Sequence, residues 1–428
     1  MSNYDVIIVG TGHAGAQAAV ALRQQGFTGS ILMIGEEQHL PYERPPLSKE
    51  YFSGERGFER ILLRPEQFWQ DKQIDLQLGQ RVMQIDTQSH RILTQQDHEY
   101  HYGKLIWATG GKPRRLSCEG ADLDGIHYIR NREDVDRINQ ELDRVQHCVV
   151  IGGGYIGLEA ASALRKINRE VTLVEAQPRV LARVAGPIIS AFYQQYHQKN
   201  GIQLHLGQGV DHLEGDDIEG DSIENRHGQV CRVVLTDGTR IDTDLVIVGV
   251  GLNPEVNALI EAGATFSNGI ETDRRCRTSL PDIFAIGDCA NHENIFADGQ
   301  RIRLESVQNA NDQAMIVAKE ILDKGEDYAA VPWFWSNQHD LKLQTIGLSI
   351  GYDQELLRGE PDSGSFTVIY LRQGKIIALD CVNRPADFIQ GKAIIQQGLS
   401  IPTEQLCDHQ QPFKQLVQRY NAVSSIQS

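Results

Sequence analysis

Two short stretches carry residues whose types and spacing suit dinucleotide chemistry. They are Gly10-Thr11-Gly12-His13-Ala14-Gly15 and Gly152-Gly153-Gly154-Tyr155-Ile156-Gly157. In such a stretch the first glycine permits a tight turn. The second lets backbone approach a pyrophosphate, and the third lets a helix lie close on a strand. Unpaired N–H groups and the positive dipole end of the following helix favour an anion there. A carboxylate follows each stretch, Glu36 after the first and Glu175 after the second. Glu36 suits a ribose diol, with Glu37 as the neighbouring alternative. Glu175 favours NAD over NADP, because it would repel a 2′-phosphate. Arg179 and Arg183, just downstream, are able to neutralise phosphate oxygens of either cofactor.

Further candidates lie between and after these stretches. Pro41, Pro45 and Pro46 forbid regular helix or a central strand around Arg44 and Lys49. A loop this rigid holds both cations in place, either as site residues or as ordinary surface charges. Tyr155 and Glu159 are spaced to share one helical face. Packing accounts for the tyrosine, and a favourable N-terminal charge for the glutamate, equally well at this point. The seven cysteines are scattered, with none before Cys118 and no CxxC or zinc spacing. They read as reduced thiols, with no metal site.

The elements that must position these residues are legible in the patterning. Asp5 to Val9 is an apolar run of strand length. Ala16 to Gln25 follows as a helix closed by Gly26, and Ile31 to Ile34 is the next strand. The same order recurs at Cys148–Ile151, Leu158–Lys166 and Val171–Val174. Two fingerprints, each with strand before and helix after, are far more specific than one. Leu105–Gly111, Leu245–Gly251 and Asp282–Asp288 read as further buried strands. Glu305-Ser306-Val307 precedes a helix over about Asn309 to Leu322. Glu214, Asp216, Asp217, Glu219, Asp221 and Glu224 form an acidic run that we read as a solvated hairpin tip, with an Asp237-Gly238 turn after it. Beyond a linker at Lys324–Asp327 the pattern changes to alternating antiparallel strands and then helices.

The result is an α/β protein with two Rossmann-like dinucleotide-binding domains and a C-terminal α+β domain. The expected boundaries are 1–116 and 248–326 for the first nucleotide domain, 117–247 for the inserted second, and 327–428 for the last. A length of 428 residues fits two to three domains. The net charge of −16 argues against nucleic acid as partner. No apolar run reaches the roughly 18 residues of a membrane span. The chain enters a strand at once with no visible leader, so a cytoplasmic location is expected.

These residues resemble the FAD-dependent, NADH-using ferredoxin reductases of oxygenase systems, of the putidaredoxin reductase and rhodocoxin reductase type. The likeness rests on GTGHAG at Gly10, RPPLSK at Arg44, ATGG at Ala108, GGGYIGLEAA at Gly152, GVGLNPE at Gly249, IFAIGDCA at Ile283, RLESVQNA at Arg303, PWFWSNQHDLKLQTIG at Pro332 and VNRPADF at Val382. It implies a glutathione-reductase-like arrangement with a C-terminal interface domain. It sets Gly10, Gly12, Gly15 and Glu36 at the FAD adenosine and pyrophosphate, with Arg44, Lys49 and Arg130 as further FAD contacts. Asp288 is expected at the ribityl chain, and Val307 and Trp335 at the isoalloxazine ring. Gly152, Gly154, Gly157, Glu175 and Arg183 are expected to hold NADH. The expected cofactor contacts also take in His13, Ala14, Val82, Ala108, Thr109, Ile156 and Gly251. By the same resemblance Tyr155 is expected to gate the nicotinamide, and Glu159 to partner Lys49. The acidic run is longer than is usual for such reductases.

The activity so implied is hydride transfer from NADH to FAD, followed by single-electron delivery to a small acidic [2Fe-2S] ferredoxin. Lys49, Glu159, Tyr155 and Trp335 are the expected catalytic residues. Arg301, Arg303, Lys342 and Lys392 are candidate docking cations. Three rivals remain at this level. A disulfide or peroxide reductase would need a redox cysteine early in the chain. A rubredoxin, quinone or ascorbate-radical reductase differs only in its acceptor. A non-enzymatic redox-sensing protein would favour a basic surface.

Overall fold

Val6-Ile7-Ile8-Val9 is apolar at every position because both faces of its strand are covered. In a computed structural model, residues 2–216 and 228–424 are described. Asp217, Glu219, Asp221 and Glu224 of the acidic run lie outside them. The chain divides into two compact units. One takes in 1–44, 58–112 and 253–334, and the other 45–57, 113–252 and 335–428.

In the first unit the strand Ser2–Val9 lies between Ile31–Gly35 and Glu99–Trp107, parallel to both. The sheet runs Ile74–Leu78, Ile31–Gly35, Ser2–Val9, Glu99–Trp107, Arg91–Thr94, Val82–Asp86, and Ile283–Ala285 joins Glu99–Trp107 in parallel. Alternate side chains feed two cores. Val6 and Ile8 pack with the alanine-rich helix His13–Gln24 and with Val307–Ile321. Ile7 and Val9 pack with Leu32, Ile34, Leu105 and Trp107 on the opposite face. Ser306 caps the helix Val307–Ile321, its hydroxyl accepting from the Asn309 N–H at 3.1 Å. That helix therefore begins two residues earlier than its apolar pattern suggests. Lys324 and Asp327, expected in a linker, are tied to the Gln25 carbonyl and to Arg275.

The second unit repeats the theme. Its parallel sheet runs Ile202–Leu206, Glu170–Glu175, His147–Ile151, Leu245–Val248, Ile126–Tyr128. The helix Tyr155–Lys166 follows the central strand and starts on the fingerprint itself. Strands Val210–Gly215, Val230–Leu235 and Arg240–Asp242 make a small antiparallel sheet. Glu214 there is no free tip residue, since Arg232 and Arg240 both pair with it. The last part of the chain forms a five-stranded sheet ordered Trp333–Gln338, Leu341–Gly347, Lys375–Val382, Ser365–Arg372, Gln354–Glu360. Helix Pro385–Gln397 packs on it. No helix among the described residues is long and apolar enough to cross a membrane.

Candidate functional site

The two fingerprints fold to one geometry. Gly10 and Gly152 have φ of +115° and +109°, a region that disfavours any side chain. A Cβ on Gly10 would stand 2.3 Å from the Ala108 carbonyl oxygen, and one on Gly152 would stand 2.5 Å from that of Gly249. Gly15 and Gly157 bring each helix against its own turn, where a Cβ would lie 1.8 Å and 1.9 Å from the carbonyl oxygens of Gly10 and Gly152. Gly12 and Gly154 differ from these. Each is the residue before its helix, and a Cβ there would meet nothing within 4 Å. Open space beside a helix N-terminus is what a pyrophosphate requires, so both turns fit a bound dinucleotide. His13 and Ala14 open the first helix, and the partly exposed Ile156 lies in the first turn of the second.

The acidic ends of the two halves are not equivalent. Val9 pairs with Ile34, and Ile151 with Val174. In register, therefore, Gly35 stands where Glu175 stands, and Glu36 is one residue later. The reason is steric: a side chain on Gly35 would fall 2.4 Å from the Thr11 hydroxyl. Glu36 is exposed and pairs with Arg81 and Lys112, both of which also pair with Glu255. Glu37 is engaged elsewhere, bound by Arg44 and by the Tyr42 hydroxyl at 2.5 Å. Burial works against the Arg44 charge, but Glu37, Tyr42 and Asp288 outweigh it and hold its pKa above the ordinary value.

Around Asp288 the first unit is tightly braced. Gly287 has φ of +74°, and its N–H donates to the Gln313 amide at 2.7 Å. Thr109 donates to the Glu255 carbonyl at 2.6 Å. Val82 is buried in its strand, and Val307 is the first residue of the capped helix. Cys289 follows Asp288, but it is fully buried, and burial pushes its thiol up to about 11. It contacts the Ile286 carbonyl at 3.2 Å, and a thiol so placed is a poor redox nucleophile. All seven cysteines are free thiols. Among the described residues no group of His, Cys, Asp and Glu is arranged to hold a metal.

Arg303 requires a correction as a docking cation. It is 9% exposed, pairs with Glu305 at 2.6 Å and donates to the Asp288 carbonyl at 3.1 Å. Its charge braces the Asp288 turn from within. Arg301 is partly exposed, donating to the Thr272 carbonyl. Lys342 and Lys392 are exposed.

In the second unit Glu175 is held as an acceptor by the Gly153 N–H at 2.6 Å and the Gln177 N–H at 2.7 Å. Arg179 is committed to its own loop. It donates to the Ala185 carbonyl and the Ser190 hydroxyl, at 2.7 Å and 2.6 Å, and to the Ala182 carbonyl. Arg183 is exposed. Gly251 has φ of +115° with open space at its Cβ position. Arg130 precedes the capping box of helix Arg132–Glu141, its N–H donating to Asp134.

The densest chemistry in this unit surrounds Glu159. Lys49 lies 2.5 Å from its Oε2, with side chains 11% and 4% exposed respectively. The Ser48 hydroxyl donates to the same oxygen and that of Ser336 to the other, both at 2.6 Å. The short turn Pro45–Ser48 packs on the helix Tyr155–Lys166 and so fixes Lys49 beside Glu159. Tyr155 sits one turn before Glu159. Burial, then Asp380, raises its pKa far above the ordinary phenol. Trp335 precedes Ser336 and is partly buried. The two serines, Gln338 and His339 lie within the RPPLSK and PWFWSNQHDLKLQTIG stretches, but nothing in their spacing reveals that they converge on Glu159, because that convergence is tertiary.

Comparison with known proteins agrees with this geometry. The pyridine nucleotide-disulphide oxidoreductase family matches residues 4–314, and the reductase C-terminal family matches 333–417. The chain is similar to the 5,5'-dehydrodivanillate O-demethylase ferredoxin reductase subunit of Sphingobium sp. (strain NBRC 103272 / SYK-6). They are 50% identical over 97% of this chain and 99% of that one. It is 38% identical to a rubredoxin-NAD(+) reductase of Pseudomonas putida, over 89% of this chain and 96% of that one. The solved structure of a covalent putidaredoxin reductase–putidaredoxin complex superposes with a TM-score of 0.92 at 36% identity, covering 99% of this chain and 100% of that one. With two dinucleotide turns, no early redox cysteine and these relatives, the chain belongs to the pyridine nucleotide-disulphide oxidoreductase family, among its ferredoxin reductases that use FAD and NAD(P)H.

Proposed function

We propose that this protein takes hydride from NADH onto FAD and passes electrons singly to a small acidic [2Fe-2S] ferredoxin that feeds an oxygenase. The observation that carries the reading is the doubled fingerprint, with open space beside both Gly12 and Gly154. Bound FAD supplies the redox chemistry, accepting two electrons and releasing them one at a time; the chain supplies position and charge. Gly10, Gly12, Gly15, Asp288 and Arg44 serve the FAD, and Gly152, Gly154, Gly157 and Glu175 the nicotinamide cofactor. Lys49 offers a fixed cation that Glu159 holds by a charge-assisted bond. Tyr155 guards the nicotinamide position, and Trp335 packs by the flavin. Arg301, Lys342 and Lys392 are the docking cations of this reading.

NADH is preferred over NADPH because Glu175 is pinned as a fixed acceptor and Arg179 is spent on its own loop. Glu175→Ala should lower the NADH:NADPH ratio of kcat/KM by roughly tenfold, about 1.4 kcal/mol. An unchanged ratio would remove Glu175 from cofactor selection. The free thiols fit a reducing, cytoplasmic setting. The acceptor is tested by following ferredoxin and rubredoxin reduction side by side with the NADH-reduced protein. Faster ferredoxin reduction supports the reading. Faster rubredoxin reduction would favour the rubredoxin reductase alternative, which the 38% identical relative keeps in view.

A further inference from the structure

A continuous line of hydrogen bonds runs inward to Glu159 through the second unit. The Glu159 carboxylate can only accept, so the Ser336 hydroxyl donates to it at 2.6 Å. Having spent its one proton, Ser336 must accept, and the Gln338 Nε2 donates to it at 3.0 Å. That orients the Gln338 amide, whose Oε1 faces the His197 Nε2 at 2.8 Å. His197 must therefore carry its proton on Nε2 and accept at Nδ1, where the His339 Nε2 stands 3.3 Å away. Every link points its proton toward Glu159, and Lys49 donates to the same carboxylate from its other side at 2.5 Å.

One strand and two helices align this line. Strand alternation puts Ser336 and Gln338 on one face. Glu159 and Ser162 lie on one side of their helix, and Ser162 accepts from the His339 N–H at 2.7 Å. Ser336, Gln338 and His197 are fully buried. A fully buried imidazole stays neutral, and burial lowers His197 to about 4. The titratable groups around Glu159 are Lys49, Tyr155 and Tyr193, and those around the histidines are Tyr193, Tyr196, Asp340 and Arg165.

We infer that Ser336, Gln338 and His197 are positioning residues of the reductase. They fix Glu159 as an oriented carboxylate and thereby set the place of Lys49. The inference rests on the function proposed above and deepens it, because it ties the C-terminal sheet to the Lys49–Glu159 pair. The line is not a proton path, since the Gln338 amide interrupts it.

Two measurements test it on the full chain carrying FAD. In protein labelled with ¹⁵N-histidine, His197 should show a neutral imidazole protonated on Nε2 at pH 6.5. A proton on Nδ1, or on both nitrogens, would overturn the orientation. In stopped-flow reduction by NADH, Ser336→Ala should slow the flavin reduction about tenfold, the worth of one hydrogen bond to a charged group. Gln338→Glu supplies the sign that a merely structural role would not. While neutral, the new carboxyl donates to Ser336 as the amide does, and reduction keeps close to the wild-type rate. Once ionised it accepts instead and draws Ser336 away from Glu159, so the rate should fall as pH rises relative to wild type. A pH profile parallel to wild type, or an unchanged rate in Ser336→Ala, overturns the inference. Wild-type flavin that NADH does not reduce would defeat the proposed function instead, and the histidine tautomer would still decide the line of bonds.

Discussion

Lys49 and Glu159 form a buried ion pair, and the proposed chemistry bears on it. Glu159 accepts from Lys49, Ser48 and Ser336, so its charge is fully used although its side chain is only 4% exposed. Lys49→Ala should slow NADH reduction of the flavin by about 100-fold, the usual cost of losing one group that stabilises charge as it develops. FAD should stay bound, and an unaltered stopped-flow rate would discard the role. That variant also leaves a buried carboxylate without its cation, which costs about 3–5 kcal/mol of stability. The double change Lys49→Ala with Glu159→Gln removes both charges. It should recover much of the thermal stability while reduction stays slow, which separates folding from chemistry.

Among the elements, the strand Lys375–Val382 carries the clearest titration. Asp380 is fully buried and accepts from Thr345 at 2.5 Å and Tyr370 at 2.6 Å. Tyr370 in turn accepts from the Gly186 N–H at 2.9 Å, at the start of helix Pro187–Lys199. Burial pushes the Asp380 carboxyl up from 3.8 to about 6, with the two hydroxyls opposing and Glu355 adding to the rise. A carboxyl raised in the fold keeps its proton while the unfolded chain has lost its own. Stability therefore falls as pH rises from about 4 to about 6 and is level above that. The full effect is roughly 3 kcal/mol. Asp380→Asn lacks this titration. Its stability relative to wild type should improve across that window, and denaturant midpoints at pH 4 and pH 7 would measure it. A difference that does not change with pH would show that Asp380 is not held neutral.

At the scale of the molecule the charge balance decides how a partner is met. A net charge of −16 repels an acidic ferredoxin at long range, so docking needs a local basic patch. Lys342 and Lys392 are exposed and able to contribute, whereas Arg303 is spent on the Asp288 turn. The double reversal Lys342→Glu with Lys392→Glu should raise the KM for an acidic [2Fe-2S] ferredoxin about tenfold at low salt and flatten its salt dependence. Reduction of the flavin by NADH should not change. Equal KM and equal salt slope would take both lysines off the docking face.

The sequence by itself determined the repeated strand, turn and helix, because glycine spacing and apolar runs are local and each has a steric reason confined to a few residues. Gly10, Gly15, Gly152 and Gly157 are legible for that reason, as is the rigid loop before Lys49. Tertiary structure alone decided which charges are available. Arg179 and Arg303 look like free cations in the chain, yet both are consumed by nearby carbonyls. Glu36 appears equivalent to Glu175, but parallel pairing sets it one residue beyond the corresponding place. The line from His339 to Glu159 joins the strand Trp333–Gln338 to two helices, Pro187–Lys199 and Tyr155–Lys166, far apart in the chain. Hydrogen-bond direction depends on distance and angle between side chains, and neither is written in spacing along the backbone.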